Sequence, residues 1–143
     1  TLGKLRRRTR KIDARRDWPV IDAEGCVRVR HASRRLLGVT PPVRMTFSAI
    51  ERAAFSPGWL QKRRELVPLS YGLAKSEAET EADFLDRRLT YWADFLPGAA
   101  DWEICRAAGI RDRRWPAAKR RLRQLHLLRS AAKLRNGLKP LYL

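Results

Sequence analysis

One glycine limits what this chain can fold into more than any other residue. In the stretch Asp101–Leu128, DWEICRAAGIRDRRWPAAKRRLRQLHLL, Gly109 divides two sets of apolar residues that each repeat at helical spacing. Before it, Asp101 is placed to cap a first helix with Ile104 and Ala108 on its inner face, and Gly109 is placed to stop that helix. After it, Ile110 covers the turn, and Trp115, Ala118, Leu122 and Leu125 form the inner face of a second helix. Two helices joined around a turn glycine are the pattern of a helix-turn-helix, whose second helix lies in the DNA major groove.

At about 100° per residue, the side of the second helix opposite its apolar face carries Arg113, Ala117, Arg120 and Gln124. Lys119, Arg121 and Arg123 flank that stripe, and Arg111 and Arg114 stand at its start. Arginine and glutamine suit bidentate contacts with guanine and adenine edges, while flanking cations suit phosphates. A solvated basic face is the plain alternative for any such charge run. Here the turn glycine and the cations coincide, which favours nucleic acid.

The whole chain shares the bias. Its 143 residues carry 32 Lys and Arg against 15 Asp and Glu, a net charge of +17, which calls for a polyanionic partner: DNA, RNA or an acidic membrane surface. The charge is segregated. Residues 1–16 hold 8 basic and 1 acidic group and residues 106–143 hold 12 and 1, whereas residues 77–105 hold 2 and 8. Cationic ends around an acidic middle predict that particular surfaces face the polyanion. No apolar run approaches the roughly 18 to 20 residues of a membrane span. The first residue is Thr and no signal-peptide pattern follows, so the sequence reads as a piece of a longer, cytoplasmic protein. Cys26 and Cys105 have no metal-ligand spacing and read as free thiols.

Taken in order, residues 1–16 read as a basic arm, with Arg6, Arg7, Arg8 and Arg10 as candidate phosphate or minor-groove contacts. Residues 17–76 form a first helical unit. Asp17 caps a helix that Gly38 stops, with Gly25 weakening its middle, and Pro41-Pro42 forces an extended connection. Thr46 caps a helix bearing Phe47, Ile50 and Ala54, and Ser56-Pro57 opens another with Trp59 and Leu66 inward. Gln61 and Arg64 then face outward, with Lys62 and Arg63 beside them as further DNA-contact candidates. Leu69 to Ser76 reads as a further short helix.

This segment echoes the one around Gly109. Ile50-Glu-Arg52-Ala53-Ala54 matches Ile104-Cys-Arg106-Ala107-Ala108, and each is followed by a tryptophan, Trp59 or Trp115, and a Lys-Arg-Arg triplet, 62–64 or 119–121. The ordered succession predicts a duplicated helix-turn-helix with a degenerate first copy, since Phe55 stands in place of Gly109 and Glu51 in place of Cys105. Residues 77–98 lie between the copies. There Leu85, Leu89, Trp92 and Leu96 form one apolar stripe on a scaffold helix from Glu77 to Leu96, in which Asp83 can pair with Arg87. The second helix-turn-helix spans 99–130, and 131–143 is a tail with an Asn136-Gly137 turn. The expected fold is therefore all-α, with tandem helix-turn-helix units joined by a central amphipathic helix.

Catalytic constellations do not appear. There is no G-x-S-x-G, no phosphate-cradling glycine loop and no zinc pattern, and His31 and His126 read as ordinary surface and core residues. A non-enzyme without a cofactor is the expectation.

The order of these blocks resembles the C-terminal DNA-binding region of the TnsD/TniQ family of transposon target-site selectors, found in bacteria. The similar elements are Asp17-Trp18 with Asp22, PPVRMT followed by AIERA at 41–53, WLQKRRELVPL at 59–69, EADFLDRRLTYWA at 81–93 and DWEICRAAGIR at 101–111. Ile21 stands where the family pattern leads one to expect an arginine, and Gly25 where a larger residue is expected. The resemblance implies a non-catalytic, nucleoid-associated protein that binds double-stranded DNA at a fixed attachment site and recruits an AAA+ ATPase regulator of transposition. It also implies an N-terminal zinc-binding domain, of which this sequence carries no zinc pattern. Other readings of the same residues are a non-specific RNA or ribonucleoprotein adaptor and a protein-interaction module built on the acidic helix.

Overall fold

The structure, a computed structural model, describes residues 16–137. It is all-α. Among the described residues there are seven α-helices, one 3-10 turn and no strand: α1 Trp18–Leu37, α2 Phe47–Ala54, α3 Trp59–Lys62, α4 Pro68–Glu77, α5 Glu81–Phe95, α6 Asp101–Ala107, the 3-10 turn Asp112–Arg114 and α7 Trp115–Gly137. They form two compact units. The first comprises the described residues up to Leu36 with Thr46–Ala78, and the second comprises Leu37–Met45 with the described residues from Glu79 onward.

In the first unit Val29 and Ala32 of α1, Ile50 of α2, Leu60 of α3, Val67 just before α4 and Ala74 within it are buried. Two buried carboxylates organise it by meeting helix starts. A helix begins with backbone N–H groups that have no partner inside the helix, and a carboxylate there satisfies both hydrogen bonding and the helix dipole. Asp22 of α1 accepts from the N–H groups of Leu69 (3.1 Å) and Ser70 (2.7 Å) at the start of α4, and the Ser70 hydroxyl lies 2.7 Å from the same carboxylate. Glu51 of α2 accepts from Gly58 N–H (2.7 Å) and Gln61 N–H (2.9 Å), closing the turn into α3. Gly25 packs where α1 meets α4: a methyl added there would collide with the Ser70 hydroxyl oxygen. The larger residue expected at this position has no room. α1 accordingly runs unbroken through the glycine.

The second unit packs α5, α6 and α7 around Leu89, Ile104, Cys105, Ala108, Ile110, Ala118 and Leu122, with Leu85, Trp92, Trp115 and Leu125 half-buried against them. Burying a leucine of this kind contributes about 1.5–3 kcal/mol. The segment before Thr46 is strapped to α5. Met45 N–H donates to Glu79, Glu79 N–H donates to Met45 O (2.7 Å), and Arg87 donates to both Glu79 oxygens (2.8 and 2.9 Å) and to Val43 O (2.7 Å).

Several expectations change in physical terms. Thr46 caps α2 through its hydroxyl as expected, 3.1 Å from Ala49 N–H. The helix after Ser56-Pro57 is a single turn in which Leu60 rather than Trp59 is buried, and the chain turns through Arg63–Val67 before Pro68 opens α4. The scaffold helix does not begin at Glu77. Glu77 ends α4, and α5 begins at Glu81 with Thr80 as its cap, the hydroxyl 3.1 Å from Asp83 N–H. That helix belongs to the second unit rather than joining two. Arg87 pairs with Glu79 instead of Asp83. Asp101 is the first helical residue, with Ala100 at the capping position. α7 continues through Asn136, where a turn was expected.

Candidate nucleic-acid interface

The turn before α7 is built as the glycine requires. Gly109 has φ +70°, the left-handed conformation that glycine adopts without strain, and Ile110 N–H returns to Cys105 O at 3.0 Å. Trp115 closes the turn from the other side, its indole Nε1–H donating to Ile110 O at 2.7 Å. Burial pushes the Cys105 thiol above its ordinary value, so this cysteine is a core residue and a poor nucleophile.

From that turn α7 presents two faces. Ala118 and Leu122 are each 1 % exposed, while Ala117, Arg120 and Gln124 on the opposite side are exposed, as are Arg111 and Arg123. Arg113, expected on this stripe, is exposed too but lies with exposed Arg114 in the 3-10 turn ahead of the helix. Lys119 is half-buried with its ammonium 5.7 Å from the Trp115 ring centre. Arg121 differs from its neighbours. It donates from Nε and Nη2 to Asp86 of α5 and from Nη1 to Gln124 Oε1 at 2.9 Å. It is therefore a brace between helices, not a cation free for phosphate, and it takes one of the two acceptor positions on Gln124 Oε1, leaving the other for an adenine N6 amine.

In the first unit Gln61, Lys62 and Arg64 are exposed. Gln61 lies in the single turn of α3 and Arg64 lies past its end, so they do not share a helix as Arg120 and Gln124 do. Arg63 is half-buried over the Trp59 ring (4.8 Å), and Trp59 stacks on Phe55 at 4.5 Å with the rings 8° from parallel. Arg6, Arg7, Arg8 and Arg10 lie outside the described residues.

A cation absent from the sequence reading joins the α6–α7 turn. Arg88 of α5, together with Gly109, Ile110, Arg111, Arg113 and Arg114, lines a cleft of about 340 Å³. A neighbouring cleft of about 520 Å³ is lined by Phe84, Leu85 and Ala118 among others and shares Arg88, Ile110 and Arg114. The available signal was positional: Arg88 falls three residues after Leu85 and four before Trp92, a charge set into the apolar stripe. No family model, curated protein or solved structure matches this chain.

Proposed function

We propose that the chain is a non-catalytic, sequence-specific reader of double-stranded DNA, with α7 as the element that enters the major groove. The observation that carries this is the division of α7 into a buried Ala118–Leu122 face and an exposed Arg120–Gln124 face, after a left-handed glycine turn and an exposed Arg113 in the 3-10 turn between them. Arg120 and Gln124 are the candidates for base edges, and Arg111, Arg113, Arg114, Lys119 and Arg123 for phosphates. The biological setting, target-site selection in transposition with an AAA+ ATPase as partner, rests on the resemblance to TnsD/TniQ proteins alone. Among the described residues no helix is long and apolar enough to cross a membrane.

Selection from a random duplex library followed by sequencing tests the reading. A defined site is expected, with Arg120→Ala relaxing one base position at a loss of about 1–3 kcal/mol. Binding without enrichment would replace this reading with a non-specific RNA or DNA adaptor. No binding at moderate salt would leave a protein-interaction module.

A further inference from the structure

Arginines crowded together without carboxylates repel one another, and proteins hold them so when an anion is to be bound. The cleft at the α6–α7 turn has that composition: Arg88, Arg111, Arg113 and Arg114 line it, and none of its lining residues is acidic. Of the four, Arg88 is the one held in place. Its guanidinium carbon lies 4.9 Å from the centre of the Phe84 ring, which orients the planar head. Its Nε–H is buried with no hydrogen-bond acceptor, although the other arginines of α5 and α7 that reach carboxylates, Arg87, Arg121 and Arg129, each do so through Nε or a terminal nitrogen. An orphaned donor on a charged group is costly to bury, and it marks the Arg88 head as a group still short of an acceptor.

We propose that this cleft is a phosphate-binding site anchored by Arg88, and that its occupant is a backbone phosphate of the bound duplex. The second half of the statement rests on the DNA-reading function of α7; the first does not. Burial and the charge of Arg114 both push the Arg88 guanidinium below its ordinary value, a disfavour that a bound phosphate reverses. The position also fits the task. Arg113 and Arg114 belong at once to the cleft and to the 3-10 turn that leads into α7, so a phosphate seated among these arginines sits at the start of that helix and sets the depth at which it enters the groove.

The test compares the full chain with three variants: Arg88→Gln, Arg111→Gln from the exposed rim of the same cleft, and Arg30→Gln, an exposed charge-matched control on α1. Inorganic phosphate is titrated against the thermal midpoint, and duplex binding is followed by fluorescence anisotropy across a salt series. The expected result is that phosphate raises the midpoint of the parent and of Arg30→Gln but not of the two cleft variants. Arg88→Gln should also bind selected and scrambled duplexes about tenfold more weakly, with a log–log salt slope shallower by about 0.9. If both cleft variants respond to phosphate and to duplex as Arg30→Gln does, there is no site. If they lose the phosphate response while binding duplex like Arg30→Gln, the site takes free phosphate and the backbone occupant is overturned. If the parent responds to phosphate through Arg88 but binds no duplex, the DNA-reading function fails and the anion site stands. Should Arg88→Gln not fold, Arg111→Gln carries both measurements.

Discussion

Arg121 and Asp86 are joined by two hydrogen bonds of 2.6 Å, Nε to one carboxylate oxygen and Nη2 to the other. This fork ties α7 to α5 beside the core that holds Leu89 and Leu122. Arg121→Gln is expected to lower the thermal midpoint, less so at high salt, whereas exposed Arg123→Gln leaves it unchanged. In duplex binding the order reverses, with Arg123→Gln flattening the salt dependence and Arg121→Gln leaving it intact. Identical midpoints for the two variants would show that the bridge does not brace the helices.

Leu122 is 1 % exposed in the centre of the second unit. Leu122→Ala should cost roughly 2–5 kcal/mol in denaturant unfolding, and Trp115→Ala should be destabilising as well, through lost packing and the loss of its bond to Ile110 O. A Trp115→Ala protein that unfolds like the parent yet fails to bind duplex would put the indole at the DNA instead of the turn.

Glu51 is 5 % exposed and accepts from two backbone N–H groups. Glu51→Ala strands both donors, at about 1–3 kcal/mol for each, and should speed hydrogen exchange at Gly58 and Gln61 specifically. Unaltered exchange at these two amides would mean that the turn holds itself.

The Glu79 carboxyl is held below its ordinary value, chiefly by its hydrogen bond from Arg87 and against the opposing effect of burial. In the unfolded chain it takes up a proton at higher pH than in the folded one. Its contribution is therefore complete above the ordinary carboxylate value, about 4.3, and is lost as pH falls through the depressed folded value. Asp94, paired with Arg129, acts in the same sense but is largely exposed. Thermal midpoints of Glu79→Gln measured from about pH 7 to pH 3 should fall less steeply than those of the parent. Parallel curves would assign the acid sensitivity to other groups.

A one-turn helix offers little length to a major groove. Gln61→Ala and Arg64→Ala are thus expected to change base preference far less than Arg120→Ala, which is checked by repeating the library selection with each variant. Loss of a second, separate block of the selected site on Arg64→Ala would restore two readers.

Elements that depend on neighbours in sequence were legible in the chain. The Thr46 cap, the Gly109 stop and the inward face of α7 follow from side chains within one helical turn of each other. What was hidden depends on residues far apart. Nothing near Asp22 shows that its carboxylate meets the amides of Leu69 and Ser70, and nothing near Glu51 marks it as the closure of the α2–α3 turn. The acidic run at 77–86 looked like one helix because acids suit any first turn. Glu79 leaves the helix because Met45 and Arg87 claim its backbone and side chain. Arg121 looked like its basic neighbours until Asp86, 35 positions away, was found beneath it.

Past the first turn, where Pro19 is tolerated, Gly25 is the poorest helix former in α1, and it fixes the alignment of that helix on α4. Sliding α1 by one turn in either direction would bring Ile21 or Val29 to the point where the Ser70 hydroxyl now lies, and a β-branched side chain cannot approach so closely. Only at the present setting does the Asp22 carboxylate fall on the two amides it serves. The missing side chain works as an index mark: local helicity is given up at one position, and the two helices are left with a single register.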